Sequence, residues 1–349
     1  MDRASLVDRV RHGDPISDER LDGVDLAGAE LGGGVFERVS FTGANLAGAR
    51  FTESVFMDCT FTDVAALDSS WGRAKLHRCT FERADLRRAK LTRVAAAAVG
   101  FTGANLAGAD LARATWFDSR FDDVSLAGAS LERVVVAECR LSRVDLTGAF
   151  FDMSTVQKAD LTTCTFAGAR FEKAVFVDAK FGAQDLSGLD LRMSQFAGAD
   201  FTGARFVGAN VSQASFLGAA LDGADFEGAE ATNAIFIDAK LARARFRGAN
   251  LFQALFVGAD APGADFVDAN LEQAIFQRAV CIGARFNGAK MTYADLTHAD
   301  VSAAEFKGAR LFRTRLHGVK DAATRWDGKG LAVGDDADLA EAERFEAKR

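Results

Sequence analysis

The sequence contains very little proline, tyrosine, histidine or cysteine: its 349 residues include two prolines, one tyrosine, four histidines and five cysteines. Both prolines are isolated and no Ser/Gly-rich linker interrupts the chain, which favours one long body over several domains. The longest run of small or apolar residues, Val94–Val99, is far too short to span a membrane. Because the N-terminus lacks a charged-then-apolar signal pattern, we predict a cytoplasmic protein.

The charged residues are not concentrated in segments of one sign either. The net charge of −7 arises from 42 basic and 49 acidic residues that are interspersed along the chain. Such a mixture favours solubility, whereas a nucleic-acid-binding groove needs a coherent basic face. We therefore predict neither a direct nucleic-acid partner nor a membrane partner.

A large apolar residue is present at every fifth position from Leu21 to Leu316. These sixty positions are Leu or Phe apart from four alanines and eight other residues, and their register never slips. A period of five matches neither the 3.6 of a helix nor the 2 of a strand. It fits a chain that turns a corner every five residues, so that four pentapeptides close one square coil around the Leu and Phe side chains. Gly is common at the corner, as at Gly43, because it turns most easily.

The pentapeptides follow the pattern small, Asp/Asn, Leu/Phe, any, any, as in Ala44-Asn45-Leu46-Ala47-Gly48 and Ala224-Asp225-Phe226-Glu227-Gly228. This pattern resembles the pentapeptide-repeat family over about residues 19–318. The resemblance implies an all-β fold, a right-handed quadrilateral β-solenoid (a pentapeptide-repeat β-helix) of about 15 coils. Residues 1–18 would form an N-terminal capping segment, and residues 319–349 a C-terminal cap with a helix.

Both ends have features of capping helices. Residues 3–12 are predicted to form a helix that starts at a capping box of Ser5 and Asp8 and covers the first coil; a disordered leader is the alternative. A second helix is predicted over about Asp338–Lys348, which includes Phe345 and would shield the last coil together with Trp326. This tail is similar to that of pentapeptide-repeat proteins associated with type VI secretion.

Motifs and residues typical of catalytic or metal-binding sites are sparse. The sequence has no phosphate-binding Gly-rich loop, no Gly-x-Ser-x-Gly and no His-Glu-x-x-His, and its four histidines are dispersed. The five cysteines occupy interior positions, and Cys59 and Cys79 lie one coil apart. We interpret them as core thiols, with zinc or a disulfide as the alternative. We therefore predict no enzyme activity, no cofactor, no metal and no small-molecule substrate.

Residues twenty apart should lie above one another, so each side of the coil can be read as columns. We number the faces one to four from the centres Leu21, Leu26, Leu31 and Phe36, and call each centre position i. On face two, position i−1 alternates in charge, which would fix the strand register. On face three, position i+2 predicts an amide ladder. The two columns are Arg205, Asp225, Arg245, Asp265, Arg285 and Glu305, and Gln213, Asn233, Gln253 and Gln273.

Face four has apolar residues at positions that should point outward. A contiguous exposed apolar patch usually marks an interaction surface. The alternative is the strand propensity of Val and Ile, but propensity should not select one face. We predict that this stripe, six coils deep, binds a protein partner or forms a homodimer. Its residues are Val175, Val177, Leu217, Ile235, Ile237, Leu255, Val257 and Ile275.

Two functions therefore follow from the sequence. The first is a protein-interaction scaffold or adaptor that binds through face four, and the tail resemblance implies a link to a secretion apparatus. The second is a DNA mimic, because some pentapeptide-repeat proteins resemble B-form DNA in width and charge and bind gyrase and related topoisomerases. A mimic needs carboxylates without neutralising partners. Since Arg and Lys recur on every face, we rank the mimic second.

Overall fold

The computed structural model describes residues 1–343, in which short parallel strands alternate with tight turns. Helix α1 is Arg3–Arg11, helix α2 is Ala337–Glu343, and a short 3-10 helix spans Lys329–Leu331. The strands are β1 (Ile16–Ser17), β2 (Val35–Glu37), β3 (Val55–Met57), β4 (Lys75–His77), β5 (Thr80–Glu82), β6 (Ala95–Ala97), β7 (Gly100–Thr102), β8 (Thr115–Phe117), β9 (Arg120–Asp122), β10 (Val135–Ala137), β11 (Arg140–Ser142), β12 (Thr155–Gln157) and β13 (Val175–Val177).

Every strand pairs with a neighbour twenty residues away. Nine strands form one parallel sheet along face four, in the order β1-β2-β3-β4-β6-β8-β10-β12-β13, and β5, β7, β9 and β11 form a second sheet on face one. Elsewhere the rungs are single parallel bridges with the same spacing, such as Asp25 to Asn45 and Glu30 to Arg50. Four rungs in each twenty-residue turn confirm a parallel β-solenoid. Its right-handed sense stays a prediction.

The solenoid divides into two compact units, Met1–Lys180 and Phe181–Arg349. The strands assigned along face four define about eight turns, so the predicted count of about 15 coils is not matched. The repeat is locally irregular where the second unit begins. Gln184 occupies a position that is usually Ala, and Gly182 takes the left-handed conformation (φ 56°) one residue earlier than at the other corners. The large residues alone, whose register is regular here, could not reveal this irregularity.

The interior is built as predicted: all sixty large positions are buried. In the second unit, phenylalanine rings stack on the ring one coil away on the same face and contact rings of the opposite face edge-on. Phe226 and Phe246 are stacked at 4.9 Å, while Phe236 meets Phe246 at 5.5 Å and 80°. Each such aromatic pair contributes about 0.5–1.5 kcal/mol beyond the burial of its area. This packing fills the interior of the coil.

The interior of the first unit is less completely filled where Leu and Val replace Phe. An apolar void of about 20 Å³ follows the interior positions between Leu111 and Phe176. Its lining has no exposed polar surface, and its volume is close to that of a single water. It is therefore a packing defect and is too small for an organic ligand.

Two buried tryptophans differ in whether their indole nitrogen is satisfied. Trp71 Nε1 donates a hydrogen bond of 2.8 Å to Ser69 Oγ, two residues earlier. Trp116 Nε1 is buried without a partner, and Ala114 occupies the corresponding position. An unpaired buried donor costs about 1–3 kcal/mol.

We expect Ala114→Ser to stabilise the first unit by about 1 kcal/mol, because the new hydroxyl can accept from Trp116 Nε1. Urea unfolding followed by tryptophan fluorescence measures the effect. The matched control is Ala174→Ser, which precedes Phe176 and has no indole to satisfy. Equal effects of the two substitutions would show that the indole is not the cause.

The capping helices form, but with N-terminal residues other than those predicted. Helix α1 is capped by Asp2, whose side chain accepts from the Ser5 N–H at 2.9 Å, and not by a box of Ser5 and Asp8. Its Leu6 and Val10 are buried. An aspartate accepts this bond well, so Asp2 caps a helix that begins at Arg3, within the predicted residues 3–12.

At the C-terminal end the repeat pattern of bridges continues to Arg325 and Val333. Trp326 stacks on Phe306 at 4.3 Å and extends the aromatic column, as expected of a residue that shields the last coil. Helix α2 starts after Asp336, whose carboxylate accepts from the Leu339 N–H, and not at Asp338. The rest of the predicted helix, including Phe345, lies outside the described residues. Of the described helices, none is long and apolar enough to cross a membrane.

Candidate interaction surface

The structure separates the eight predicted contact residues into two groups. Val175 and Val177 belong to the first unit, where strand β13 pairs them with Thr155 and Gln157. The other six belong to the second unit. The residues of the predicted stripe are therefore divided between the two units, and the stripe as a whole stays a prediction.

The six residues of the second unit are neighbours on successive rungs of face four. Parallel bridges connect Ile235 to Leu255 and Leu255 to Ile275. Leu217 is 45% exposed, and the others are half-buried because side chains one strand spacing apart cover one another. We call this group the apolar patch: Leu217, Ile235, Ile237, Leu255, Val257 and Ile275.

Polar residues surround the apolar patch. On one side lies the predicted amide column, in which Gln253 Nε2 donates to Gln273 Oε1 at 2.8 Å. On the other side the corner residues include Asp238 and Arg278, and at one end of the patch Asp295 accepts from Gln277. An apolar centre with a polar rim is the usual composition of a protein–protein interface.

Backbone groups of the apolar patch bond to the adjacent coils. The Ile235 N–H donates to Ala214 O at 2.9 Å, and the Phe236 N–H donates to Leu255 O at 2.7 Å. A partner cannot add a strand alongside these rungs, because their hydrogen-bonding groups point to the coils above and below. Recognition at this face must therefore depend on side chains.

The alternating column of face two forms ion pairs between coils. Arg245 lies 3.2 Å from Asp225, and Arg285 lies 3.3 Å from Asp265. In each pair the arginine reaches back to the carboxylate of the preceding coil. Exposed pairs of this kind contribute about 0–1 kcal/mol each, so their main effect is on register.

Corner residues of the first unit form similar pairs. Arg78 binds Asp58 through two hydrogen bonds of 2.6 and 2.7 Å, and Arg83 binds Asp63 in the same way. The Arg78 guanidinium lowers the pKa of Asp58 below its ordinary value. Since this carboxyl is more acidic in the folded state, the pair stabilises the fold above the ordinary carboxyl pKa. That stability is lost as pH falls through the lowered pKa.

One corner column of the first unit departs from this pairing. The residues at position i+2 of face three are Arg73, Arg93, Arg113 and Arg133, all in the left-handed conformation. Arg73 pairs with Glu53 at 2.9 Å, whereas Arg93 and Arg113 form no ion pair within the described residues. The charge is mixed when whole faces are counted, but this corner column is a local stripe of positive charge. Reading the corner positions at intervals of twenty would have revealed it.

All five cysteines are free and buried, as the preferred interpretation requires. The Cys59 thiol donates to Phe36 O, and the Cys79 thiol donates to Phe56 O. Burial raises the pKa of Cys164 to about 11 and that of Cys281 to about 12. These two thiols therefore remain protonated and act as small core residues.

Sequence reasoning missed one cluster of titratable residues. His298 and His317 are nineteen residues apart, one less than a full turn, so their rings lie 5.3 Å apart on adjacent coils. Glu343 of helix α2 contacts both. The description of the four histidines as dispersed is wrong for this pair. A comparison of residues separated by nineteen to twenty-one would have found it.

The fold and its surfaces define a repeat protein built as a parallel β-solenoid, without an internal ligand cavity in its described part. Two family profiles match the sequence: Pentapeptide repeat region over residues 35–111, and Pentapeptide repeats (8 copies) over segments between 101 and 318. The chain belongs to the pentapeptide-repeat family. These matches give no support to the type VI secretion branch. No curated protein matches the sequence significantly.

Several solved structures are similar to this chain. HetL, a protein of heterocyst differentiation regulation from the cyanobacterium Nostoc sp. strain PCC 7120, is 20% identical over 90% of this chain and 96% of its own, with a TM-score of 0.21. A pentapeptide repeat protein of the Arabidopsis thaliana thylakoid lumen is 33% identical over 29% of this chain and 68% of its own, with a TM-score of 0.20. QnrB1, a plasmid-mediated fluoroquinolone resistance protein, is 17% identical over 78% and 97%, with a TM-score of 0.22. At such TM-scores these similarities say nothing about function.

Proposed function

We propose that the protein is a non-enzymatic, cytoplasmic interaction protein that binds another protein through the apolar patch. The observation that carries this proposal is the contiguity of six apolar side chains on one flat face, inside a polar rim. The other apolar residues that are highly exposed in the second unit, such as Ile282 and Phe312, have no comparable stripe around them. Strand propensity alone would not produce this selection.

The size of the patch indicates that it forms only part of an interface. Two columns over about four rungs have a planar footprint on the order of 100 Å², given strand spacings of about 4.8 Å. A stable interface buries about 800 Å² on each partner. The apolar patch is thus the centre of an interface whose rim is polar, and the partner must supply a complementary apolar segment with amide-binding groups. A second copy of this chain is the competing outcome.

Site-specific photo-crosslinking tests this proposal. A photoreactive residue at Leu217 should crosslink a defined protein in the native cytosol, which mass spectrometry identifies. The matched control places the same residue at Ile282, which is 44% exposed but lies on face one. Identical crosslinks from both positions would reject the patch as the site. Crosslinks to this chain itself would replace the heterologous partner with a homodimer.

The DNA mimic is the second candidate, and the charge arrangement does not favour it. Carboxylates that a mimic would present are bound by arginines of adjacent coils, as at Asp225 and Asp265. A mimic requires unneutralised charge at regular spacing.

We therefore expect micromolar protein to leave the supercoiling activity of DNA gyrase unchanged. Agarose-gel assays with relaxed plasmid measure this, with ciprofloxacin as the positive control for inhibition. Potent inhibition would place the mimic first and displace the interaction scaffold.

A further inference from the structure

The C-terminal helix meets the solenoid at two histidines. His298 Nε2 lies 2.8 Å from Glu343 Oε1, and His317 Nε2 lies 3.3 Å from Glu343 Oε2. The ligand atoms of the three residues all lie within 4.8 Å of one another. Helix α2 itself has no buried residue, so apolar packing does not hold it in place. These polar contacts are its connection to face four.

We propose that His298, His317 and Glu343 bind a Zn²⁺ ion that fastens helix α2 to the last coils of the second unit. Two imidazoles and one carboxylate are a common zinc ligand set, with water in the fourth position. Metal–ligand distances of about 2.0–2.2 Å place tetrahedral ligands about 3.4 Å apart. The Glu343 carboxylate lies 2.8 Å from His298 through Oε1 and 3.3 Å from His317 through Oε2, so coordination by one of these oxygens requires the carboxylate to reorient. Mg²⁺ and Ca²⁺ need more oxygen ligands than this site offers.

A nearby carboxylate can orient the His317 ring for zinc. In the structure the Asp336 N–H donates to His317 Nδ1 at 3.0 Å, so Nε2 carries the proton and faces Glu343. Coordination through Nε2 moves that proton to Nδ1 and breaks the hydrogen bond from the Asp336 N–H. Asp335 Oδ1 lies 3.7 Å from Nδ1 and can accept it after a small shift of the loop. A carboxylate on the second imidazole nitrogen is the usual support for a zinc-bound histidine.

The neighbouring coil is shaped to hold the His298 ring. Gly318, at the corner one coil further on, leaves room for this ring, because a Cβ there would clash with it. The Gly318 N–H donates to Asp335 Oδ1 at 2.9 Å, which places the same aspartate beside His317. The imidazoles and their supporting carboxylate are thus positioned by two adjacent turns.

Isothermal titration of the full-length, chelator-treated protein with ZnCl₂ tests the site. We expect one ion per chain, no binding of MgCl₂, and a Co²⁺ derivative with the absorption of a tetrahedral centre. Since the site lies at the helix, zinc should slow amide exchange in residues 337–343. Failure to bind zinc stoichiometrically would overturn the proposal and leave only a hydrogen-bonded contact.

Variants assign the ligands. His298→Ala and Glu343→Gln should each weaken zinc binding at least tenfold, and both residues are partly exposed, so the coil should stay folded. His77→Ala is the matched control, because His77 is an exposed histidine of face four in the first unit. Asp335→Asn should weaken binding about 10–100-fold. Wild-type affinity in the His298 and Glu343 variants would place any bound zinc elsewhere and reject this site.

Discussion

Replacing Ile237 and Leu255 together by aspartate is expected to abolish partner binding while the coil stays folded. Both side chains lie at the centre of the apolar patch, on adjacent rungs. Burying an uncompensated carboxylate at an interface costs several kcal/mol, which exceeds the gain of about 25 cal/mol per Å² from the remaining apolar area. Since lost rotational and translational freedom already opposes association, little affinity should remain.

Crosslinking yield from position 217, together with sedimentation velocity, measures the loss. The control is Ile282→Asp with Phe312→Asp, which introduces the same charges at exposed apolar sites outside the patch. Circular dichroism and thermal unfolding report whether the coil is intact. Unchanged association would mean that the patch reflects strand propensity only. Unfolding would mean that these half-buried residues support the coil itself.

Phe256→Ala is expected to destabilise the second unit by about 3–5 kcal/mol. The ring is fully buried, stacks on Phe276 at 4.5 Å and meets Phe246 edge-on at 5.8 Å. Its removal leaves a cavity that neighbouring rings cannot fill, because each is held in its own stack. Chemical denaturation followed by circular dichroism measures the change.

The matched control for this cavity is Phe312→Ala, because Phe312 is 49% exposed and lies on the outside of face three. We expect a change within about 0.5 kcal/mol. A loss below about 1 kcal/mol for Phe256→Ala would contradict a close-packed interior. Repeat proteins can unfold in parts, so the transition of the second unit should be followed by hydrogen exchange as well.

The repeat made the fold predictable to an unusual depth. A five-residue period fits a chain that turns a corner every five residues, and the resemblance to pentapeptide repeats implied the solenoid. The interior positions, the corner at Gly43 and the twenty-residue strand register followed from the two together. The charge column that includes Arg245 and the amide pair of Gln253 and Gln273 were predicted because stacked coils place such residues in contact. In a solenoid, residues one full turn apart lie in contact. The local repeat therefore also predicts the long-range contacts.

The boundary at Lys180, the caps at Asp2 and Asp336, and the grouping of His298 with His317 were decided only by the tertiary structure. Each depends on a departure from the repeat, such as Gln184 in a small-residue position or a separation of nineteen instead of twenty. The sequence by itself determined which residues are inside, because burial follows the period. It did not determine which surface residues converge, because that depends on where corners and tails place side chains of adjacent turns.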